Sequence, residues 1–190
     1  VNSHAHPDHA GGNHVFEHVH IHKDELEPLA YYTSELVMID TFKRFVNSTM
    51  PEHLLDKNKS SASMFTIEEG FKFNLGGRIL DVIHIPGHSP GSIALYDNKS
   101  KNIFTGDMTT KHVWLQVKYA TSVEDFLNSI RKLQAYKSSI NWLLPGHGEG
   151  DQARSQLRVP GPGEGDAWDI HQCPFQHFRQ LQGPRLNGGS

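Results

Sequence analysis

The hexapeptide HAHPDH, which starts at His4 just behind an apparent strand end (VNS), constrains this chain more than any other feature. His4 and His6 are two residues apart, so an extended backbone would point both side chains to the same side, where they could hold one ion. Pro7 then forces a bend, after which Asp8 and His9 can turn toward a second ion. Taken alone, the hexapeptide could also be a polar surface loop.

Three later segments share one pattern, in which a short apolar strand runs into a glycine-containing loop that carries a strong metal ligand. They are VIHIPGHSPGS with His88, NIFTGD with Asp107 and NWLLPGH with His147. Strand ends of one sheet open onto a common rim, so ligands that are distant in sequence can converge there. Each of these residues could belong to an ordinary turn, but together with the hexapeptide they favour a metal centre.

The chemistry of the candidate ligands narrows the kind of ion. They are imidazole nitrogens and carboxylates without thiolate, which suits Zn²⁺ and also Mn²⁺ or Fe²⁺. Seven ligands exceed what one tetrahedral ion needs but match two ions that share a carboxylate. The single cysteine, Cys173, excludes an internal disulfide framework and a multi-cysteine zinc site. It fits a reducing compartment, and we predict a cytoplasmic location.

Composition excludes several other classes of function. A net charge of −3 does not favour a broad nucleic-acid surface or a polybasic membrane anchor. No apolar run approaches the roughly 18 residues that are needed to span a bilayer. The chain has 190 residues with 36% hydrophobic content, enough for one domain with a core, and its 14 histidines form no tag-like run. We therefore expect neither a nucleic acid nor a membrane as a partner.

Hydrophobic periodicity predicts short strands and helices in mixed order. Strands are expected in HVHIH, in NWLLP and in two hairpins, FKFNLGGRILDVIHI and SIALYD to NIFTGD. Helices are expected in GNHVFE, in ELEPLA after an Asp24 cap and limited by Pro28, in SELVMIDTFKRFV, and in SVEDFLNSIRKLQAY after a Ser122 cap. The polar stretch 56–63 is predicted to be an exposed loop.

The motifs HAHPDH, PGHSPGS, FTGD and LLPGHGEG, in this order, resemble those of the metallo-β-lactamase superfamily, and within it the glyoxalase II-like hydrolases. The resemblance covers roughly residues 1–157 and implies an α/β fold, the αβ/βα sandwich of that family. It implies a first metal bound by His4, His6 and His88. It implies a second metal bound by Asp8, His9 and His147, with Asp107 bridging the two ions.

The resemblance also implies a mechanism. A metal-bridging hydroxide would attack the carbonyl carbon of a small ester or thioester, and two ions about 3.5–4 Å apart would lower the pKa of that water and stabilise the oxyanion. Asp8 would be the catalytic residue that orients the nucleophile and handles protons. Histidine at position 6, where redox-active di-iron relatives carry glutamate, favours hydrolysis over oxygen reduction. The expected cofactors are two Zn²⁺ ions, with Mn²⁺ or Fe²⁺ also fitting.

The chain departs from the family pattern at both ends. The first strands of the family precede the HxHxDH loop, so we expect a chain that is incomplete at its N-terminus, with the domain at 1–158 and a disordered Gly/Pro-rich tail at 159–190. VMIDTF at 37–42 resembles the family's xDTG turn but has a helical context, so we assign it no functional role. Two alternatives stay open: a truncated, inactive metal-binding fragment and, less favoured, a nucleic-acid phosphodiesterase.

Other polar and aromatic residues receive structural interpretations. Ser89 lacks the GxSxG elbow of a catalytic serine. Trp114 and Tyr119 could line a substrate pocket, although packing is favoured. The histidines outside the motifs are read as follows: His84 packed or hydrogen-bonded in the core, His20 and His22 structural, His14 a candidate to support a metal ligand, and His53, His112, His171 and His177 at the surface.

Overall fold

The computed structural model describes residues 1–46, 62–110, 112–148 and 157–158, and the following elements lie within them. The helices are α1 (Pro7–Ala10), α2 (Leu26–Tyr32), α3 (Glu35–Val46) and α4 (Val123–Gln134). The strands are β1 (His18–His22), β2 (Ser63–Ile67), β3 (Lys72–Asn74), β4 (Ile79–His84), β5 (Ile93–Asp97), β6 (Asn102–Gly106), β7 (Trp142–Pro145) and β8 (Leu157–Arg158). The architecture is mixed α/β, as predicted.

The strands form two sheets. Strands β1 and β2 pair in parallel as a two-stranded ribbon, and β3 to β8 form a six-stranded sheet in sequence order. Neighbours in the larger sheet are antiparallel except β6 and β7. Strands β4, β6 and β7 therefore run in one direction, and their carboxyl ends share one rim of the sheet. This confirms the expectation that the three later motifs open onto a common edge.

The main core lies between one face of the six-stranded sheet and α4. Because side chains alternate along a strand, Ile83 of β4 faces this helix whereas Val82 faces the opposite side. The sheet contributes Ala94, Ile103 and Leu143 to the same layer, and α4 contributes Phe126, Ile130 and Leu133. This packing fixes the sheet whose rim carries the predicted ligands.

Two local predictions are confirmed in detail. Helix α4 begins after Ser122, whose hydroxyl accepts a hydrogen bond from the Asp125 backbone N–H, and the Asp125 carboxylate accepts one from the Ser122 backbone N–H. Strands β3 and β4 form a hairpin around Gly76 and Gly77, which have φ angles of 70° and 86°. Both features follow from local chemistry that is visible in the sequence.

The prediction for the segment after the hexapeptide is wrong. The expected helix over GNHVFE is only a 3₁₀ turn at Asn13–Val15, and the α-helix forms earlier, at Pro7–Ala10. Pro7 explains the shift, because proline has the φ angle of a helix already and tolerates the first helical position. As a consequence, Asp8 and His9 project from a helical turn.

The predicted start of α2 is also wrong. Asp24 lies inside a 3₁₀ turn at Lys23–Glu25 and does not cap α2, because the ring of His22 accepts the hydrogen bond from the Asp24 backbone N–H at 3.3 Å. Pro28 does not limit the helix, since it lies in the first turn, where no intrahelical N–H bond is required. Strand β2 was not predicted, and its first residue, Ser63, belonged to the expected loop.

Some predictions fall outside the described residues. These are the tail 159–190, the part of the polar loop at 56–61, and the residues His53, His171, Cys173 and His177. Within the described part of the chain, no helix is long and apolar enough to cross a membrane.

Candidate metal centre

His4, His6 and His88 meet at the carboxyl-end rim of the sheet, and we call them the first donor group. His4 Nε2 lies 3.0 Å from His6 Nδ1, which lies 2.9 Å from His88 Nε2. Zinc–nitrogen bonds of about 2.0–2.1 Å at tetrahedral angles separate two donors by about 3.3 Å. The spacing of the three nitrogens is close to that required by a single ion.

Asp8, His9 and His147 form a second donor group next to the first. His147 Nε2 lies 2.9 Å from Asp8 Oδ2 and 3.1 Å from His9 Nε2. Asp8 and His9 come from α1, whereas His147 follows β7. The three ligand atoms lie within 4.8 Å of one another, so they too could surround one ion.

Asp107 lies between the two donor groups. Its Oδ1 is 3.1 Å from His9 Nε2, and its Oδ2 is 3.5 Å from His88 Nε2 and 3.6 Å from His147 Nε2. Oδ1 is buried and, among the described residues, makes no hydrogen bond of acceptable geometry despite the nearby imidazole. A buried carboxylate oxygen needs a partner. An ion shared by the two groups would satisfy it, so the residues fit a two-metal site.

Two glycines allow this close assembly. Gly106 has a φ of 52°, a left-handed conformation, and a Cβ there would lie 2.7 Å from Ser3 Oγ. A Cβ on Gly146 would lie 2.7 Å from Asp107 Oδ1 and 3.0 Å from His9 Cε1. The glycines of FTGD and LLPGH therefore let these two loops and the hexapeptide segment pack in direct contact.

The outward ring nitrogens of His4 and His88 have partners that sequence reasoning missed. His4 Nδ1 lies 3.1 Å from Ser3 Oγ, and His88 Nδ1 donates to the backbone carbonyl of Trp114 at 2.8 Å. Such contacts fix ring orientation and would leave the other nitrogen available to bind an ion. The position of Ser3 next to the motif was a usable signal, whereas a backbone carbonyl 26 residues from His88 has none.

Aromatic residues lie beside the first donor group. The ring of Tyr32 meets His6 edge to face at 4.6 Å, and its hydroxyl donates to the carbonyl of Lys118 at 2.6 Å. Tyr119 packs in the same cluster and donates to Glu27 at 3.2 Å, so packing is the role the structure gives it. Trp114 is 46% exposed, and its packing role stays a prediction.

Electrostatics keeps the first donor group neutral. Burial lowers the pKa of His4 well below its usual value, and the neighbouring histidines add repulsion. Burial and then His88 lower the pKa of His6 to about 4. Burial also lowers the pKa of His88, although its hydrogen bond to the Trp114 carbonyl opposes the shift. Neutral imidazoles offer the lone pairs that metal binding requires.

In the second donor group, the pKa shifts of His9 and Asp8 favour the charged forms instead. Burial alone would lower the pKa of His9, but the close carboxylates of Asp107 and Asp8 raise it to about 9. Burial alone would raise the pKa of Asp8, but the hydrogen bond and the charge of His9, followed by His147, hold it well below its usual range. The Asp8 carboxylate is therefore ionised and could balance positive charge.

The remaining histidines have structural contacts. The rings of His22 and His84 stack at 4.1 Å, and His84 Nε2 bonds to the Pro90 carbonyl at 2.8 Å. His20 stacks on Phe65 at 5.2 Å. His112 is exposed. These positions match the structural and surface interpretations.

Two further residues near the motifs can be placed. His14 Nδ1 lies 3.1 Å from the Gly11 carbonyl, so its predicted support of a ligand stays a prediction. Ser89 is buried, and its hydroxyl shares a hydrogen bond with that of Ser92 at 2.7 Å. It has the environment of a packed residue, in line with the absence of a nucleophile elbow.

Histidines and carboxylates gathered at the strand ends of an α/β sheet define a class of metal-binding α/β proteins. A family model of the metallo-beta-lactamase superfamily matches residues 1–147, and the chain belongs to this superfamily. The family predicted from the four motifs is thereby confirmed.

Similar proteins include thioesterases. The chain is 31% identical over 152 residues to the human acyl-coenzyme A thioesterase MBLAC2, covering 77% of this chain and 54% of the relative. It is 30% identical over 95 residues to the atrochrysone carboxyl ACP thioesterase AgnL7 of Paecilomyces divaricatus, covering 48% and 28%. The chain thus spans about half the length of the curated MBLAC2 relatives that it matches.

A solved structure supports the same fold. TTHA1623 in a di-iron-bound form matches with a TM-score of 0.55 and 28% sequence identity, covering 78% of this chain and 68% of that protein. The α/β fold of the metallo-beta-lactamase family, predicted from the motifs, is confirmed by this likeness.

Proposed function

We propose that this chain holds two divalent metal ions and hydrolyses a small-molecule thioester. The observation that carries the proposal is the convergence of two three-residue donor groups on one carboxylate, that of Asp107. The first donor group would hold one ion and the second donor group the other. Nitrogen and oxygen donors suit Zn²⁺, which we propose, and also Mn²⁺ or Fe²⁺. Two such ions would supply an activated water and stabilise negative charge on the substrate carbonyl oxygen.

The thioester is proposed because relatives carry that activity in their names. Both the human relative and the fungal relative are named as thioesterases, one for coenzyme A and one for an acyl carrier protein. Hydrolysis adds the oxygen of water to the carbonyl carbon and breaks the C–S bond. The sulfur leaves as a thiolate and then takes up a proton. The likeness to glyoxalase II and the cytoplasmic location stay predictions.

Asp8 is the residue that we propose as catalytic. Its side chain is 56% exposed, and its Oδ2 lies 2.9 Å from His147 Nε2, on the open side of the centre. Because its pKa is low, Asp8 stays ionised and can orient the attacking water by accepting a hydrogen bond. The proton lost by the water can pass through this carboxylate to the departing sulfur.

Metal analysis and a thiol-release assay on the full chain test the proposal together. We expect about two ions per chain, with zinc, iron and manganese measured side by side. A panel of acyl-coenzyme A thioesters should release thiol, and this release should stop on chelation and return when Zn²⁺ is added. The variant Asp40→Asn is the matched control, because Asp40 lies on α3 and pairs with Arg44.

The possible results separate the alternatives. Two bound ions without thiol release from any thioester would contradict the substrate class, and parallel assays with a lactone and a phosphodiester would then identify the bond that is cleaved. A chain that folds but binds no divalent ion would contradict the two-metal centre. Bound metal without activity toward any of these substrates would support the inactive metal-binding fragment.

A further inference from the structure

Glu25 is a charged side chain in the interior that belongs to neither donor group. It ends the 3₁₀ turn Lys23–Glu25, which joins β1 to α2, and it is 0% exposed. A carboxylate removed from water in this way requires hydrogen bonds that replace its hydration. The partners of Glu25 therefore indicate what the buried charge does.

Each oxygen of this carboxylate accepts one short hydrogen bond from a different loop. The backbone N–H of Ala5 donates to Oε2 at 2.7 Å, and the backbone N–H of Gly91 donates to Oε1 at 2.7 Å. Ala5 is the residue between the first two histidines of the hexapeptide, and Gly91 is the third residue after His88. Glu25 thus connects the two loops that carry the first donor group.

The contact depends on glycine at position 91. A Cβ on Gly91 would lie 2.7 Å from Glu25 Cγ and 3.0 Å from the Glu25 backbone nitrogen, both too close for ordinary packing. It would also lie 3.0 Å from His22 Nδ1. The second glycine of PGHSPGS therefore lets the His88 loop lie directly against the carboxylate.

We propose that Glu25 is a positioning residue that holds the hexapeptide and the His88 loop at the spacing that one metal ion requires. The inference rests on the proposed two-metal centre and assigns Glu25 to one half of it. Hydrogen bonds to an ionised acceptor are about twice as strong as neutral ones, so a single carboxylate can fix both loops. His147, on the far side of the centre, belongs to a loop that this bridge does not reach.

A cobalt titration can measure the effect on each donor group separately. In a His147→Ala background only the first donor group is complete, and in a His88→Ala background only the second is. We expect Glu25→Gln to weaken Co²⁺ binding about 10–100-fold in the His147→Ala chain, the range found for outer partners of metal ligands. The expected change in the His88→Ala chain is less than about threefold. The visible Co²⁺ bands of the first donor group should also shift.

The control is Glu124→Gln, because Glu124 is an exposed glutamate in the first turn of α4 and contacts Arg131 at 3.4 Å. It should leave both affinities unchanged. If Glu25→Gln does not fold, Gly91→Ala replaces it, since this variant keeps the charge but pushes the loop away from Glu25. The same selective loss is expected from it.

Two results would overturn the inference: equal losses in both backgrounds, which indicate a general loss of structure, and an unchanged affinity in the His147→Ala chain. A wild-type chain that binds no cobalt would overturn the two-metal centre and this inference with it. A chain that binds two cobalt ions but cleaves no thioester would contradict only the proposed substrate, and the titration would still decide the role of Glu25.

Discussion

The two donor groups share one carboxylate but differ in how they are held. In the first donor group, His4 and His88 are 1% and 3% exposed, and their outward ring nitrogens contact Ser3 Oγ and the Trp114 carbonyl. In the second donor group, the side chains of Asp8 and His147 are 56% and 51% exposed. A buried and hydrogen-bonded group keeps its geometry, whereas an exposed one can adjust. One half of the centre is therefore part of the core, and the other half opens to solvent, where a substrate can enter.

The largest effect is expected at the carboxylate that the two groups share. Asp107→Asn keeps the shape of the side chain but removes the charge between the groups. The binding of both ions should therefore be weaker. Metal ions contribute several kcal/mol to transition-state stabilisation, and a loss of about 4 kcal/mol corresponds to about 1,000-fold in rate. We expect thioester hydrolysis to fall at least about that much, measured as kcat/KM with metal content on the same sample. Loss of only one ion would show that Asp107 belongs to a single group.

Next in size is the difference in stability between His88→Ala and His147→Ala. His88 is buried and donates to the Trp114 carbonyl, so its loss leaves a cavity and removes this hydrogen bond. We expect a cost of about 2–4 kcal/mol in the free energy of unfolding. Replacing the half-exposed His147 by alanine should lower the free energy of unfolding by about 0.5 kcal/mol or less.

Urea unfolding of chelated protein measures this difference without the contribution of bound metal. Each variant should nevertheless lose about one ion when metal content is determined. Equal destabilisation by the two substitutions would contradict the contrast between a buried first donor group and an exposed second donor group.

The donors themselves could be predicted, because local patterns record them. Glycine-containing loops follow β4, β6 and β7, and these strands run in the same direction, so the histidines and the aspartate on these loops meet at one rim. The cap of α4 was equally visible, since the Ser122 and Asp125 pair satisfies its bonds within four residues. Such features depend on contacts that are close in sequence or on a simple rule of sheet geometry.

The parts that could not be predicted depend on tertiary contacts without a local pattern. Strand β2 buries only Ile67, so it shows no alternation, and its pairing with β1 defines it as a strand. Glu25 was predicted only as the first residue of the helix ELEPLA, and no local pattern marked it further, because its partners are backbone N–H groups 20 and 66 residues away. The sequence therefore predicted the residues that meet at the rim but not the residue that connects their loops.

A smaller effect, about 2 kcal/mol in the free energy of unfolding, is expected on acidification from the stacked pair of His22 and His84. Burial and then repulsion by His84 lower the pKa of His22 to about 4, below its value of 6.5 in an unfolded chain. The unfolded state therefore binds the proton first, and the stability contributed by neutral His22 is present above pH 6.5 and lost as the pH falls toward 4. Between pH 7 and 5 the loss from this residue is about 2 kcal/mol.

The comparison of wild type with His22→Gln isolates this contribution, because the other buried histidines are common to both chains. Unfolding of chelated protein at pH 7 and pH 5 should show a pH dependence that is weaker by that amount in the variant. Identical pH dependence in the two chains would assign the acid sensitivity to other groups.

The smallest effect tests whether stability and metal binding can be separated. Ser122→Ala removes the cap of α4, and such substitutions cost about 1 kcal/mol. Helix α4 packs behind the sheet through Phe126, Ile130 and Leu133, and it contributes no ligand to either donor group. Both Co²⁺ affinities should therefore stay within about twofold of wild type while the midpoint of urea unfolding falls. If the first donor group weakened in proportion to stability, its geometry would depend on the whole core rather than on the contacts of its own loops, and the contrast between the two halves would reduce to a difference in burial.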